Sequence, residues 1–307
     1  MKKIIIGITS VVVLGASFLA GNLYSNQKLI NLHKKHPFLA KRIFSEDAND
    51  SVINFEPLRK KLQNELSHYN DTDRSLYFEY LPTGTSIRIG ENSQLVGASL
   101  LKLPHIMNLY HLAEAKSINL EDKVQLRQSW LDDSYGDLYK KGSGYELTIR
   151  DLVKMAAEKS DNTAINGIKE IVASHKLLRE DTAINALDVD LSTGPEGDTQ
   201  LSSRSYSSFL KCLYFACYVS PDNSQEILSY LSANITANDR LPKYLPKDLK
   251  VAHKFGVSGE VTQGDCGIIY VERRNYVLCV LLNENKVKGS EIIAQLSKYV
   301  YDYVSKQ

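Results

Sequence analysis

Strand-like alternation at both ends of one long stretch, with helical spacing between, limits how this chain can fold more than any other feature. Residues 75–81 alternate with period two, Pro82-Thr83-Gly84 marks a turn, and residues 86–89 return as a second strand. Far downstream, residues 251–257, 267–271 and 276–282 read as three more strands, the last two joined by a turn at Glu272-Arg273-Arg274-Asn275. The region between is helical in pattern. A helix is expected to begin near Ala98–Ser99, another to open at the capping box of Thr148 and Asp151, and two more over residues 164–173 and 205–218. Leu58, Leu62 and Leu66 place a helix before the first strand, and residues 291–304 read as a closing amphipathic helix. Strands arriving from two ends of one segment can join a single sheet only if the intervening helices are set aside as a unit. The expected fold class is α+β: an antiparallel sheet from both chain ends, flanked by helices, with an inserted all-helical lobe.

The N-terminus has a different character. Lys2 and Lys3 precede an apolar run from Ile4 to Tyr24, long enough to cross a bilayer. The lysines would stay cytoplasmic and put the rest of the chain outside. A cleaved signal is the alternative, with Ala20 before the cut, although Phe18 is large for such a site. The expected organisation is therefore a membrane anchor or signal segment at 1–24, a polar stalk at 25–55 that includes His33, Lys34, Lys35 and His36, and a folded domain at 56–307. The expected location is the cell membrane with the domain extracytoplasmic, or secretion after cleavage. A formal charge of +1 argues against a nucleic-acid partner. The remaining partner is the membrane, through the N-terminal segment, and the domain is expected to be monomeric. Cys212, Cys217, Cys266 and Cys279 show no C-x-x-C spacing and the histidines no H-x-x-x-H spacing, so no metal or cofactor is expected. Cys266 and Cys279 fall on neighbouring strands, which leaves open either one disulfide or buried free thiols.

Three short motifs carry chemistry. Ser99-Leu100-Leu101-Lys102 puts a hydroxyl and an amine one helical turn apart. A serine is a weak nucleophile until a base takes its proton, and a lysine can be that base only when its pKa is lowered. Such a motif alone is weak; Ser25-Asn26-Gln27-Lys28 also fits it. Ser160-Asp161-Asn162 occurs once and supplies a second hydroxyl and an amide, although all three residues also favour turns. Lys254-Phe255-Gly256 follows on a predicted strand.

In order and spacing these motifs resemble the S-x-x-K, S-D-N and K-T-G set of class A β-lactamases and related penicillin-binding serine hydrolases. Val96-Gly97-Ala98-Ser99-Leu100-Leu101-Lys102-Leu103-Pro104 is similar to their nucleophile segment. Leu147-Thr148-Ile149-Arg150-Asp151-Leu152, followed by Ser160-Asp161-Asn162-Thr163-Ala164-Ile165-Asn166, extends the likeness. The resemblance spans roughly residues 56–305 and implies a β-lactamase/transpeptidase-like fold with the site between sheet and lobe. It implies that Ser99 attacks a carbonyl, Lys102 acts as base, Ser160 shuttles a proton and Asn162 positions substrate. It further implies that Lys254 draws a substrate carboxylate beside Gly256, and that the backbone N–H groups of Ser99 and Val257 form the oxyanion hole.

Two departures shape the expected function. Phe255 stands where the family usually has Thr or Ser, and a phenyl ring cannot hydrogen-bond a carboxylate; Ser258 is the nearby substitute. The family's glutamate for deacylation also has no obvious counterpart. Glu196 is the nearest candidate by position, but it sits in Pro195-Glu196-Gly197-Asp198, which reads as a turn. The expectation is a serine acyl-enzyme hydrolase acting on β-lactams or D-alanyl cell-wall peptides, slow in deacylation. The alternatives are an efficient β-lactamase with an unusual deacylation base, and an envelope protein that uses this scaffold for another substrate or for binding alone.

Overall fold

A computed structural model describes residues 53–233, 238–259 and 261–306, with scattered positions between 17 and 34. Most of the expected anchor and of the expected stalk lies outside the described residues. Among the described residues no helix is long and apolar enough to cross a membrane.

Helix α1 (Glu56–Glu65) buries Leu58 and Leu62, and Leu66 caps it. Strands β1 (Arg74–Tyr80) and β2 (Thr85–Ile89) form a hairpin, and the short β3 (Leu95–Val96) leads into a 3-10 turn, Ala98–Leu101. The helical lobe follows. It comprises α2 (Lys102–Glu114), the small pair β4 (Lys123–Gln125) and β5 (Glu146–Thr148), α3 (Ile149–Glu158), α4 (Asn162–Ser174) and α5 (Ala183–Ala186). The hairpin β6 (Ser192–Thr193) and β7 (Thr199–Leu201) precedes α6 (Ser203–Phe215) and α7 (Pro221–Ser232). The chain then returns to the sheet as β8 (Val251–Ser258), β9 (Thr262–Ile269) and β10 (Tyr276–Asn283), and ends in α8 (Lys286–Val304).

The main sheet has the order β2-β1-β10-β9-β8, antiparallel throughout, so the last strand of the chain pairs with the first. Alternation along β10 explains the layering. Val277, Cys279 and Leu281 join the core shared with the helical lobe, while Leu278, Val280 and Leu282 join the core beneath α1 and α8. Each such buried aliphatic side chain contributes roughly 1.5–3 kcal/mol. The capping box at Thr148 and Asp151 opens α3 as expected.

Several boundaries differ from the sequence reading. The helix expected from Ala98–Ser99 is a 3-10 turn as far as Leu101, and the α-helix begins at Lys102. The strand expected from residue 267 starts at Thr262; Thr262, Gln263, Gly264 and Asp265 are buried polar or small residues, so hydrophobic alternation conceals them. Helix α8 begins at Lys286, where Asn285 caps it by accepting from the Lys288 N–H. Both cysteine pairs are disulfides. Cys266 and Cys279 face each other across β9 and β10, and Cys212 joins Cys217 beyond the end of α6.

Candidate active site

Ser99 sits half-buried on the 3-10 turn, held from two sides. The Gly97 N–H donates to the Thr199 carbonyl at 2.9 Å, tying the turn to β7, and the Leu100 N–H donates to the Gly97 carbonyl at 3.0 Å. From the sheet side, β8 lies directly against the turn. A Cβ at Gly256 would come within 2.8 Å of the Gly97 carbonyl oxygen and 3.3 Å of the Leu100 nitrogen, so this approach requires glycine. Val257, the second expected oxyanion donor, follows on the same strand. Ala98 has φ +44 and Ser160 has φ +55, left-handed conformations that cost non-glycine residues about 1–3 kcal/mol each. Both flank the chemistry.

Two buried lysines converge on one hydroxyl. Lys102 Nζ donates to the Ser160 carbonyl, to Ser160 Oγ at 3.2 Å and to Asn162 Oδ1 at 2.6 Å. Lys254 Nζ donates to Ser160 Oγ at 2.8 Å and to the Phe255 carbonyl at 3.3 Å. Burial pushes the Lys102 ammonium down to about 8, with the nearby Lys169 charge acting in the same direction. Burial, and then the Lys102 charge, pushes Lys254 well below its ordinary value. An ammonium has three donors, and those of Lys102 are all engaged. Losing one proton leaves an amine with a free lone pair, one turn from the Ser99 hydroxyl. That hydroxyl makes no hydrogen bond among the described residues, as is common before substrate binds.

The S-D-N segment works through its middle residue as well as its ends. Asp161 is buried and caps α4, accepting from the Ala164 N–H at 3.0 Å. Its other oxygen accepts from the Asp137 and Leu138 N–H groups, both at 2.8 Å. The loop of residues 132–138 is thereby fixed beside the site. Gly136 makes this possible: its φ is +96, and a Cβ there would lie 2.2 Å from Asp161 Oδ2. The loop in turn holds Asn162, whose Nδ2 donates to Ser134 Oγ at 2.7 Å, leaving Oδ1 for Lys102.

Phe255 is buried yet belongs to neither apolar core. Its ring centroid lies 4.5 Å from Lys254 Nζ and 5.2 Å from the Arg240 guanidinium carbon, and Tyr135 meets it edge-on at 5.9 Å. Arg240 is also buried; it donates to Asp239 Oδ1 at 2.6 Å and Gln263 Oε1 at 3.2 Å, while its Nε has no partner. Asp265 anchors this corner, accepting from the Leu241 N–H at 3.1 Å and pairing with His253 Nδ1 at 2.9 Å. By strand alternation Ser258 shares the face of Lys254 and Gly256, and not that of Phe255.

Glu196 stands at the exposed tip of the β6–β7 turn, where the Gly194 N–H donates to the Asp198 carbonyl and the Gly197 N–H to the Gly194 carbonyl. Sequence reasoning missed Tyr135, Arg240, Asp265 and the tying role of Asp161. The one available signal was a charge at the start of an apolar strand, at Asp265. A cleft of about 690 Å³ lined by Arg127, Trp130 and Glu170 is separate from all these residues, and its Arg127 is already paired with Glu170.

The chain is similar to known proteins over most of its length. The sequence model of the Beta-lactamase enzyme family matches residues 57–304. Beta-lactamase CARB-3 of Pseudomonas aeruginosa is 22% identical over 251 residues, covering 77% of this chain and 84% of the relative. Among solved structures, PBP-A superposes with a TM-score of 0.73 at 22% identity, covering 82% of this chain and 97% of that one. A mutant of PBP-A in an acyl-enzyme complex with penicillin G superposes at 0.72 with 22% identity, again over 82% of this chain and 97% of the other. The structural likeness shows the fold: an antiparallel sheet with an inserted helical lobe.

Proposed function

This chain belongs to the beta-lactamase enzyme family and is a serine hydrolase; from that premise we propose that Ser99 forms an acyl-enzyme with β-lactams and with the D-alanyl peptides they mimic, and releases it slowly. The observation that carries this reading is the convergence on Ser160 Oγ of Lys254 and of Lys102, itself three residues from Ser99. In the forward step neutral Lys102 takes the Ser99 proton as Oγ attacks the carbonyl carbon. The developing oxyanion is received by the Ser99 and Val257 N–H groups, which typically contribute about 10²–10³ in rate each. Ser160 passes a proton to the leaving nitrogen, resupplied by the lysines. Asn162 holds the substrate amide, and Lys254 with Arg240 supplies positive charge for a carboxylate.

Slow release rests on the acids. Glu196 is spent on an exposed turn, and Asp132, Asp161 and Asp265 serve Asn162, the loop of residues 132–138 and His253 respectively. None of them hydrogen-bonds Ser99. The same reading puts the domain outside the membrane, held by the N-terminal segment. The Lys2-Lys3 flank and the apolar run support this, and so do two disulfides, which persist in oxidising compartments.

Mixed with benzylpenicillin, the protein should consume about one equivalent in a burst and then turn over slowly. Steady turnover at about ten per second or faster, without a burst, overturns the slow-release reading and returns the chain to the efficient β-lactamases.

A further inference from the structure

Both cations available to a carboxylate are sealed. Lys254, on Ser160 Oγ, is 0% exposed, and Arg240, on Gln263 of β9, is 2% exposed. One side chain packs against both. The Phe255 ring has Lys254 Nζ at 4.5 Å and the Arg240 guanidinium at 5.2 Å. Tyr135, on the loop from the helical lobe, meets the same ring edge-on at 5.9 Å. The Tyr135–Phe255 contact therefore bridges the two lobes. The two rings differ in freedom: Phe255 is 5% exposed, whereas Tyr135 is 40% exposed and its ring can leave without opening a core.

We propose that Phe255 and Tyr135 determine specificity as an aromatic gate, which admits a donor's carboxylate to Lys254 and Arg240 only when the rings part. The proposal rests on the acyl-enzyme reading and adds to it a substrate preference. Attack by Ser99 needs the oxyanion donors and Lys102, whereas the Phe255 ring packs on Lys254, Arg240 and Tyr135. An acyl donor without a carboxylate can react with the gate shut. A donor that depends on its carboxylate reacts only through the open fraction, so its apparent rate falls by that fraction. The gate makes the enzyme relatively selective for neutral acyl donors, such as simple esters, over β-lactams. This differs from the plain loss of a hydroxyl at position 255: a missing hydroxyl lowers affinity permanently, while a gate can be removed.

Alanine separates the two accounts, because it has neither hydroxyl nor ring. The measurement is the second-order rate of Ser99 acylation, followed by intact mass, for benzylpenicillin and for an uncharged nitrophenyl ester. Phe255→Ala is expected to accelerate penicillin acylation by about tenfold or more if the shut form dominates about ten to one, with the ester little changed. Tyr135→Ala should move the penicillin rate in the same direction by less. Phe255→Leu, which lacks the ring but keeps part of the apolar bulk and guards against misfolding, should accelerate penicillin acylation by less than Phe255→Ala. Equal penicillin rates in Phe255→Ala and the parent overturn the gate, as does equal acceleration of both donors. Failure of the underlying reading looks different: no adduct from either donor in any folded variant, or adducts that persist in Ser99→Ala, remove the acyl-enzyme itself.

Discussion

Raising the pH from 6 to 9 should accelerate acylation of Ser99 by about 90-fold if Lys102 takes its proton. The figure follows from burial. Lys102 is held near 8, down from an ordinary 10.5. At pH 7 about one molecule in ten then carries a neutral Lys102, against about one in three thousand without the shift, a gain of roughly 300-fold in usable base. The rate should climb about tenfold per pH unit below the midpoint and level off above it. Because Lys102 and Lys254 share Ser160 Oγ, the midpoint belongs to the pair. The same shift has a cost in stability with a definite sign. Between pH 8 and 10.5 the unfolded chain still holds a proton that folded Lys102 has lost, so stability rises with pH across that window. Below pH 8 the buried ammonium costs about 3 kcal/mol. The assay is single-turnover acylation by quenched-flow mass spectrometry in matched ionic strength. A rate that is flat from pH 6 to 9, or one still climbing tenfold per unit near pH 10, refutes Lys102 as a base tuned by burial.

Other consequences are simpler to test. Asp161→Ala removes the acceptor for three N–H groups, at Asp137, Leu138 and Ala164. It should cost about 3–5 kcal/mol in urea unfolding, and an unchanged midpoint would contradict the tying role. Gly136→Ala drives a methyl into the Asp161 carboxylate at a positive φ. It should lower the melting temperature and slow acylation through Asn162; wild-type behaviour in both would show that the loop is not fixed as described. Glu196→Gln should leave the release of the penicilloyl group unchanged, whereas slowing by about 100-fold or more, the scale of a lost general base, would make Glu196 the deacylation base after all.

What the sequence showed, and what it hid, follows the range of the interactions. Local patterns were legible: period two in 75–81 and 276–282, the Thr148–Asp151 capping box, and the motif residues Ser99, Lys102, Ser160 and Lys254. The α+β arrangement followed, since strands from both ends had to share a sheet. Elements that depend on distant partners were hidden. β3 and β7 are so short that only their pairing, Leu95 with Leu201, defines them. β9 starts with buried polar residues that serve Arg240, Leu241 and His253, contacts without a sequence period. Tyr135 and Phe255 are far apart in sequence, and only the folded lobes bring their rings together. The Cys212–Cys217 bond was hidden because its spacing matches no familiar redox or metal motif.

The claim that Ser99 is the acylated nucleophile is tested most directly by intact-mass spectrometry of the domain mixed with benzylpenicillin, alongside Ser99→Ala. The account predicts a single penicilloyl adduct that maps to the Ser99 peptide, persists long after free penicillin is removed, and is absent from the alanine variant. An adduct of equal yield in Ser99→Ala, or no adduct and no drug consumption in a folded protein, would contradict it.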